Sequence, residues 1–203
     1  MASSNSNLAR NRLIVVLIAL ISVIPFSLAW YLAKHSDMVQ NQPKSNYGHL
    51  ITPAKPLDYA ELLQTPVTAA ETLTEIKGHW VMVQIATGAV CDETCATTAQ
   101  KTGRLRLMLN KELSRVRRLL LFAAPADAAA ARELAQRDPT LLMAGLSDAL
   151  RQRLQEAAGA PPSEGAVLLL DPFANLMMWY EPGFDPYGLL HDLKRLLKNS
   201  QIG

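Results

Sequence analysis

The chain has 203 residues, 49% of them apolar, and a formal net charge of +2 at neutral pH. That length suits one domain of ordinary size with a short extra element, and the apolar share excludes wholesale disorder. So small a charge gives no argument for nucleic acid as a partner. The seven basic residues between Lys101 and Arg118, with Glu112 the single acid among them, read as the solvated face of a helix.

Leu13 to Ala33, LIVVLIALISVIPFSLAWYLA, runs 21 residues without a charge. At about 1.5 Å per residue it crosses a hydrocarbon core of roughly 30 Å. Arg10 and Arg12 precede it, and Lys34 and Asp37 follow. The positive-inside rule then leaves residues 1–12 in the cytoplasm and sends the rest across the inner membrane. A cleaved signal peptide would use Pro25, Ser27 and Ala29, but the apolar run continues through Leu32 and favours a retained single-pass anchor over residues 13–33. Both alternatives put the body of the protein in the periplasm, where disulfides persist.

Residues 34–56 are polar and punctuated and read as a linker, in which GHLIT (Gly48–Thr52) can add a short strand at the domain's edge. The globular domain is then 57–203. Its first core strand is HWVMVQIAT (His79–Thr87), β-branched and aromatic between two glycines. A helix follows over about Thr94–Leu113, with Gly103 a weak point, and then a second buried strand over Val116–Ala124. Asp127 caps a helix to Arg137, TLLMAG (Thr140–Gly145) is a short strand, and Ser147 and Gly159 cap the next helix. Ala166–Asp171 and Asn175–Tyr180 flank a DPFAN turn as a hairpin. The last helix, Asp185–Lys198, gathers Leu189, Leu190, Leu193, Leu196 and Leu197 on one face. This order predicts an α/β sandwich around a central sheet.

Both cysteines, Cys91 and Cys95, lie in GAVCDETCATTA (Gly88–Ala99), just past the carboxyl end of the first core strand. That is where α/β sheets place their chemistry. The helix N-terminus there favours thiolate, while Asp92 and Glu93 oppose it. Two thiols at this spacing can close a permanent disulfide, hold a soft metal or exchange electrons.

The stretch GHWVMVQIATGAVCDETCATT (Gly78–Thr98) and the hairpin VLLLDPFANLMMWY (Val167–Tyr180) resemble the Sco/SenC family, membrane-anchored factors of cytochrome c oxidase assembly. The resemblance implies a thioredoxin-like three-layer sandwich behind the transmembrane helix. It further implies a working pair at Cys91 and Cys95, and a respiratory oxidase subunit or its copper site as partner. Three departures stand against a complete transfer. The family's copper-binding histidine falls, counting back from Asp171, on Ser163 beside Glu164, and no histidine occurs between His79 and His191. The proline after the second cysteine is Ala96, and the acidic loop of the family has shrunk to Ala124–Asp127. His79 reads as a surface residue, His191 as part of an amphipathic face, and Met177 and Met178 as core; His49, in the linker, could swing in, but nothing marks it as a ligand.

The sequence therefore points to a membrane-anchored thiol–disulfide or copper-handling factor, with Cys91 as attacking thiol and Cys95 as resolving thiol. Cu(I) is the metal two thiolates would suit, its third ligand unassigned. The alternative is a non-catalytic assembly or scaffold protein braced by the disulfide.

Overall fold

The structure, a computed structural model, describes residues 3–34, 46–159, 161, 163–200 and 202. The chain divides into two compact units, 1–45 and 46–203. The first holds helix α1 (Ser3–Lys34), whose window Arg12–Leu32 is long and apolar enough to cross a membrane. Its apolar side chains from Leu13 to Leu32 are exposed, and Pro25 lies inside it.

The second unit is built on β2 (Trp80–Ala86), all seven residues of which are buried. Such a strand needs cover on both faces, and its apolar run supplies side chains to each. The six-stranded sheet has the order β1-β6-β5-β2-β3-β4. Strands β2, β3 (Val116–Phe122) and β4 (Leu141–Gly145) are parallel, whereas β5 (Val167–Leu170), β6 (Asn175–Tyr180) and β1 (His49–Pro56) add antiparallel.

On one face, Val81, Val83 and Ile85 pack with Leu119, Leu121 and Leu150. Helices α2 (Tyr59–Leu62), α3 (Ala70–Leu73) and α6 (Asp148–Ala158) cover this side. On the other, α4 (Glu93–Leu107), α5 (Ala128–Arg137) and α7 (Pro186–Asn199) bury Trp80, Met82, Leu105, Leu120, Leu189 and Leu193. The three layers of a thioredoxin-like sandwich follow. Caps at Asp127, Ser147 and left-handed Gly159 fall where the sequence puts them.

Three expectations are corrected. First, the folded unit starts at Asn46 rather than Leu57, because β1 belongs to the sheet. Its start is fastened by the buried Asp192 of α7, whose Oδ2 accepts the N–H of Tyr47 at 2.8 Å and of Gly48 at 2.9 Å. A Cβ at Gly48 would stand 2.5 Å from the Tyr180 ring, so only glycine lets the strand enter there.

Second, α4 ends at Leu107, and a 3₁₀ turn at Asn110–Arg115 replaces its expected last turns, with Asn110 at φ 51°. Third, the basic run is not one solvated face. Arg118 is 1% exposed on β3 and Arg106 Nε donates to the Val116 carbonyl, while Arg115 binds the carbonyls of Leu197, Ser200 and Ile202.

The first and last strands of the order, β1 and β4, are edges, and both are blunted. Pro53, Lys55 and Pro56 interrupt β1, and the segment Thr65–Thr68 runs along β4. There Thr65 O accepts Gly145 N, and Met143 O accepts Val67 N and Thr68 N.

Candidate functional site

The site begins where β2 ends. Ala86 O accepts Ala123 N at 2.8 Å, and Ala89 O accepts Asp127 N at 2.8 Å, so the loop after β2 is stitched to the end of β3 and the cap of α5. Cys91 follows that loop, and Asp92 then caps α4 with its Oδ1 accepting the Cys95 N–H at 2.9 Å. Cys95 occupies the third position of the helix, and its sulfur is bonded to that of Cys91, with 5.2 Å between Cα atoms.

The two cysteines differ in access. Cys95 is 2% exposed and packs with Ala86, Ala99, Leu120 and Phe122, whereas Cys91 is only half-buried. Cys91 also lines a recess of about 110 Å³ between α4 and α5, walled by Val90, Ala96, Phe122 and Leu134.

Below the site, the fully buried guanidinium of Arg118 holds the middle of α4. Its Nη2 donates to Ala99 O at 2.5 Å and its Nε to Thr102 Oγ1 at 3.2 Å, while Nη1 meets Asp138 at 2.6 Å. Gly103 is no weak point here. A Cβ there would lie 3.3 Å from Arg118 Nη1, and the glycine makes room for the buried charge.

Ser163 and Glu164 lie in the loop before β5, beside the start of α4. Thr87 Oγ1, at the end of β2, donates to Glu164 Oε2, and a Cβ on the neighbouring Gly165 would stand 3.0 Å from Thr94 Cγ2.

The histidines are elsewhere. His49 stacks on Trp179 at 4.5 Å and pairs with Glu181, His79 bonds the Lys77 carbonyl, and His191 lies against Tyr47 and Asp192. Met178 is core, and Met177 packs against the same cluster. Among the described residues no three His, Cys, Asp or Glu side chains gather to hold a metal ion.

Sequence reasoning missed the hydrogen bond that Asp92 makes as a cap, the Arg118 network and the Thr87–Glu164 contact. The first was signalled by an Asp ahead of a helical run, the usual N-cap pattern. The other two join residues far apart in sequence and leave no local trace.

Residues 80–200 match the model of the family described as transmembrane-like, thioredoxin-like, C-terminal domain. The chain belongs to this family. As one of these transmembrane-like, thioredoxin-like domain proteins, it has a similar fold to apo Sco1 from Thermus thermophilus, with 17% identity and a TM-score of 0.56 over 75% of this chain and 97% of that one. It is also similar to yeast Sco1, with 15% identity and a TM-score of 0.50 over 63% of this chain and 84% of that one. At these identities the likeness is one of fold, and the fold is the one the two sequence motifs suggest. No curated protein sequence matches the chain.

Proposed function

We propose that this protein is a membrane-anchored periplasmic thiol–disulfide factor of Sco/SenC type that acts on a respiratory oxidase during its assembly. The observation that carries this reading is the Cys91–Cys95 disulfide at the junction of the central strand and α4, open at Cys91 and closed at Cys95. Thiol exchange needs that asymmetry. In the reduced pair, the Cys91 thiolate attacks one sulfur of a partner disulfide and the other leaves as a thiolate. Cys95 then attacks the Cys91 sulfur, releasing the partner as a dithiol and closing the pair. Two electrons pass from the pair to the partner, and a dithiol donor of the same compartment must restore them.

Copper fits less well. Two thiolates are soft donors that suit Cu(I), but among the described residues no His, Asp or Glu joins them to complete a three-ligand set. No step is therefore assigned to a metal held by this chain alone, and copper enters as cargo only where a partner adds a ligand. The test is complementation of a strain lacking the gene. Cys91→Ser and Cys95→Ser should each abolish oxidase maturation while the protein accumulates normally. Full oxidase activity from either variant would refute the reading in favour of a bracing disulfide.

A further inference from the structure

We propose that the negative charge of Asp92, fixed at the α4 cap by the N–H of Cys95, holds the cysteine pair toward its disulfide form. The inference rests on the thiol-exchange reading and names the residue that poises it. A helix N-terminus favours thiolate because its N–H donors and the positive end of its dipole point at the sulfur. Here one of those donors is carried by Cys95 itself, and Asp92 Oδ1 already occupies it at 2.9 Å. The Asp92 carbonyl takes the next one, from Ala96, at 2.8 Å. A thiolate formed at Cys91, the residue directly before the cap, thus competes with a carboxylate for the Cys95 N–H. Glu93 adds a second negative charge in the first turn of the helix. Like charges disfavour thiolate, so both carboxylates work against the reduced pair.

The balance is that of an ordinary exchange. The Cys91–Cys95 disulfide and two glutathione thiols give two cysteine thiols and one glutathione disulfide, with two electrons passing from the glutathione sulfurs to the pair. Stabilising the thiolate draws this equilibrium toward the reduced pair, and a carboxylate at the cap draws it back. Asp92 touches neither partner nor leaving group in this scheme. It is a positioning residue with two separable roles, as hydrogen-bond acceptor and as charge.

Asp92→Asn and Asp92→Ser separate them, because either side chain can cap the helix and neither carries charge. The full chain in detergent micelles is equilibrated with glutathione buffers, extended by a dithiothreitol couple, and the reduced fraction is read by maleimide gel shift. The rate of Cys91 alkylation by iodoacetamide is followed against pH. Both variants should shift the equilibrium about tenfold toward the reduced pair, which is about 30 mV. Cys91 should alkylate at lower pH than in the wild type, and the melting temperature should stay put. Glu156→Gln on α6, on the opposite face of the sheet, should move none of these, and Glu133 and its partner Arg137, which line the recess beside Cys91, are left in place.

Unchanged equilibrium and alkylation profiles in both capping variants would overturn the proposal, and so would an equal shift in Glu156→Gln. The dithiothreitol couple makes the shift readable whatever the wild-type potential. Failure of the thiol-exchange reading itself would show separately, as oxidase maturation surviving Cys91→Ser.

Discussion

Burial separates the two cysteines, and the shortness of the loop they close says how little their bond braces the fold. The disulfide closes a loop of five residues from Cys91 to Cys95, for which the chain-entropy model gives about 2 kcal/mol. Joint replacement of Cys91 and Cys95 by serine should leave the domain folded, with a melting temperature about 5 °C lower by calorimetry. Collapse of the fold in that double variant would mean that the bond is structural.

Ser163 offers a second test, since its loop lies beside the first turn of α4. Ser163→His adds the borderline imidazole donor that the two sulfurs lack, and should raise Cu(II) retention after dialysis of the reduced protein. Tight Cu(II) binding by the unaltered protein would reveal a ligand not identified in this structure.

At Tyr180 the prediction concerns pH. Burial, followed by the nearby Asp192 that accepts its hydroxyl proton at 3.1 Å, holds the phenol well above its ordinary pKa of about 10. The folded state therefore keeps this proton longer than the unfolded chain. The stability it contributes is complete below about pH 10 and declines as the pH rises above it. Urea unfolding between pH 9 and about 11.5 should show that decline, and Tyr180→Phe should flatten it.

Among the elements, α4 depends on an anchor that it does not contain. Arg118 reaches from β3 to the Ala99 carbonyl and Thr102 of α4, and to Asp138 and Thr140 ahead of β4. Removing a buried charge from such a network leaves its partners unmatched, so Arg118→Ala should cost about 3 kcal/mol in urea unfolding. A loss under about 1 kcal/mol would show that the network is dispensable.

Strand β1 gives a parallel case at the sheet's edge. A fragment starting at Leu57 loses the strand and the amides that satisfy Asp192 Oδ2, and it bares the flank of β6. It should be recovered insoluble, whereas a fragment starting at Asn46 should be soluble.

These elements also mark what could be read in advance. Capped helices and the all-apolar strand β2 were legible because their signals are local: Asp127, Ser147 and Gly159 sit within a few residues of what they terminate. Strand β1 was read mainly as linker because Pro53 and Pro56 break its pattern, and only pairing with β6, more than a hundred residues later, makes it a strand. Arg118 looked like a surface charge for the same reason, since its partners lie on α4 and ahead of β4. The place of the cysteines after β2 and at the opening of α4 was legible, but the capping bond from the Cys95 N–H to Asp92 required coordinates.

For the whole molecule, the apolar window of α1 and the arginine at its start predict the topology. The protein should sediment with membranes and resist carbonate extraction. A reporter fused after Gly203 should be active only in the periplasm. Activity on the cytoplasmic side would reverse the orientation and remove the oxidising compartment on which the thiol chemistry depends.

The two blunted edges of the sheet have a wider meaning. A partner cannot extend this sheet by laying a strand along it, because prolines and a lysine interrupt one flank and Thr65–Thr68 covers the other. Under the thiol-exchange proposal, docking then falls to the end of the sheet, where the loops after β2 and before β5 flank the start of α4. The same closure removes the exposed strand edge on which copies of the chain would stack.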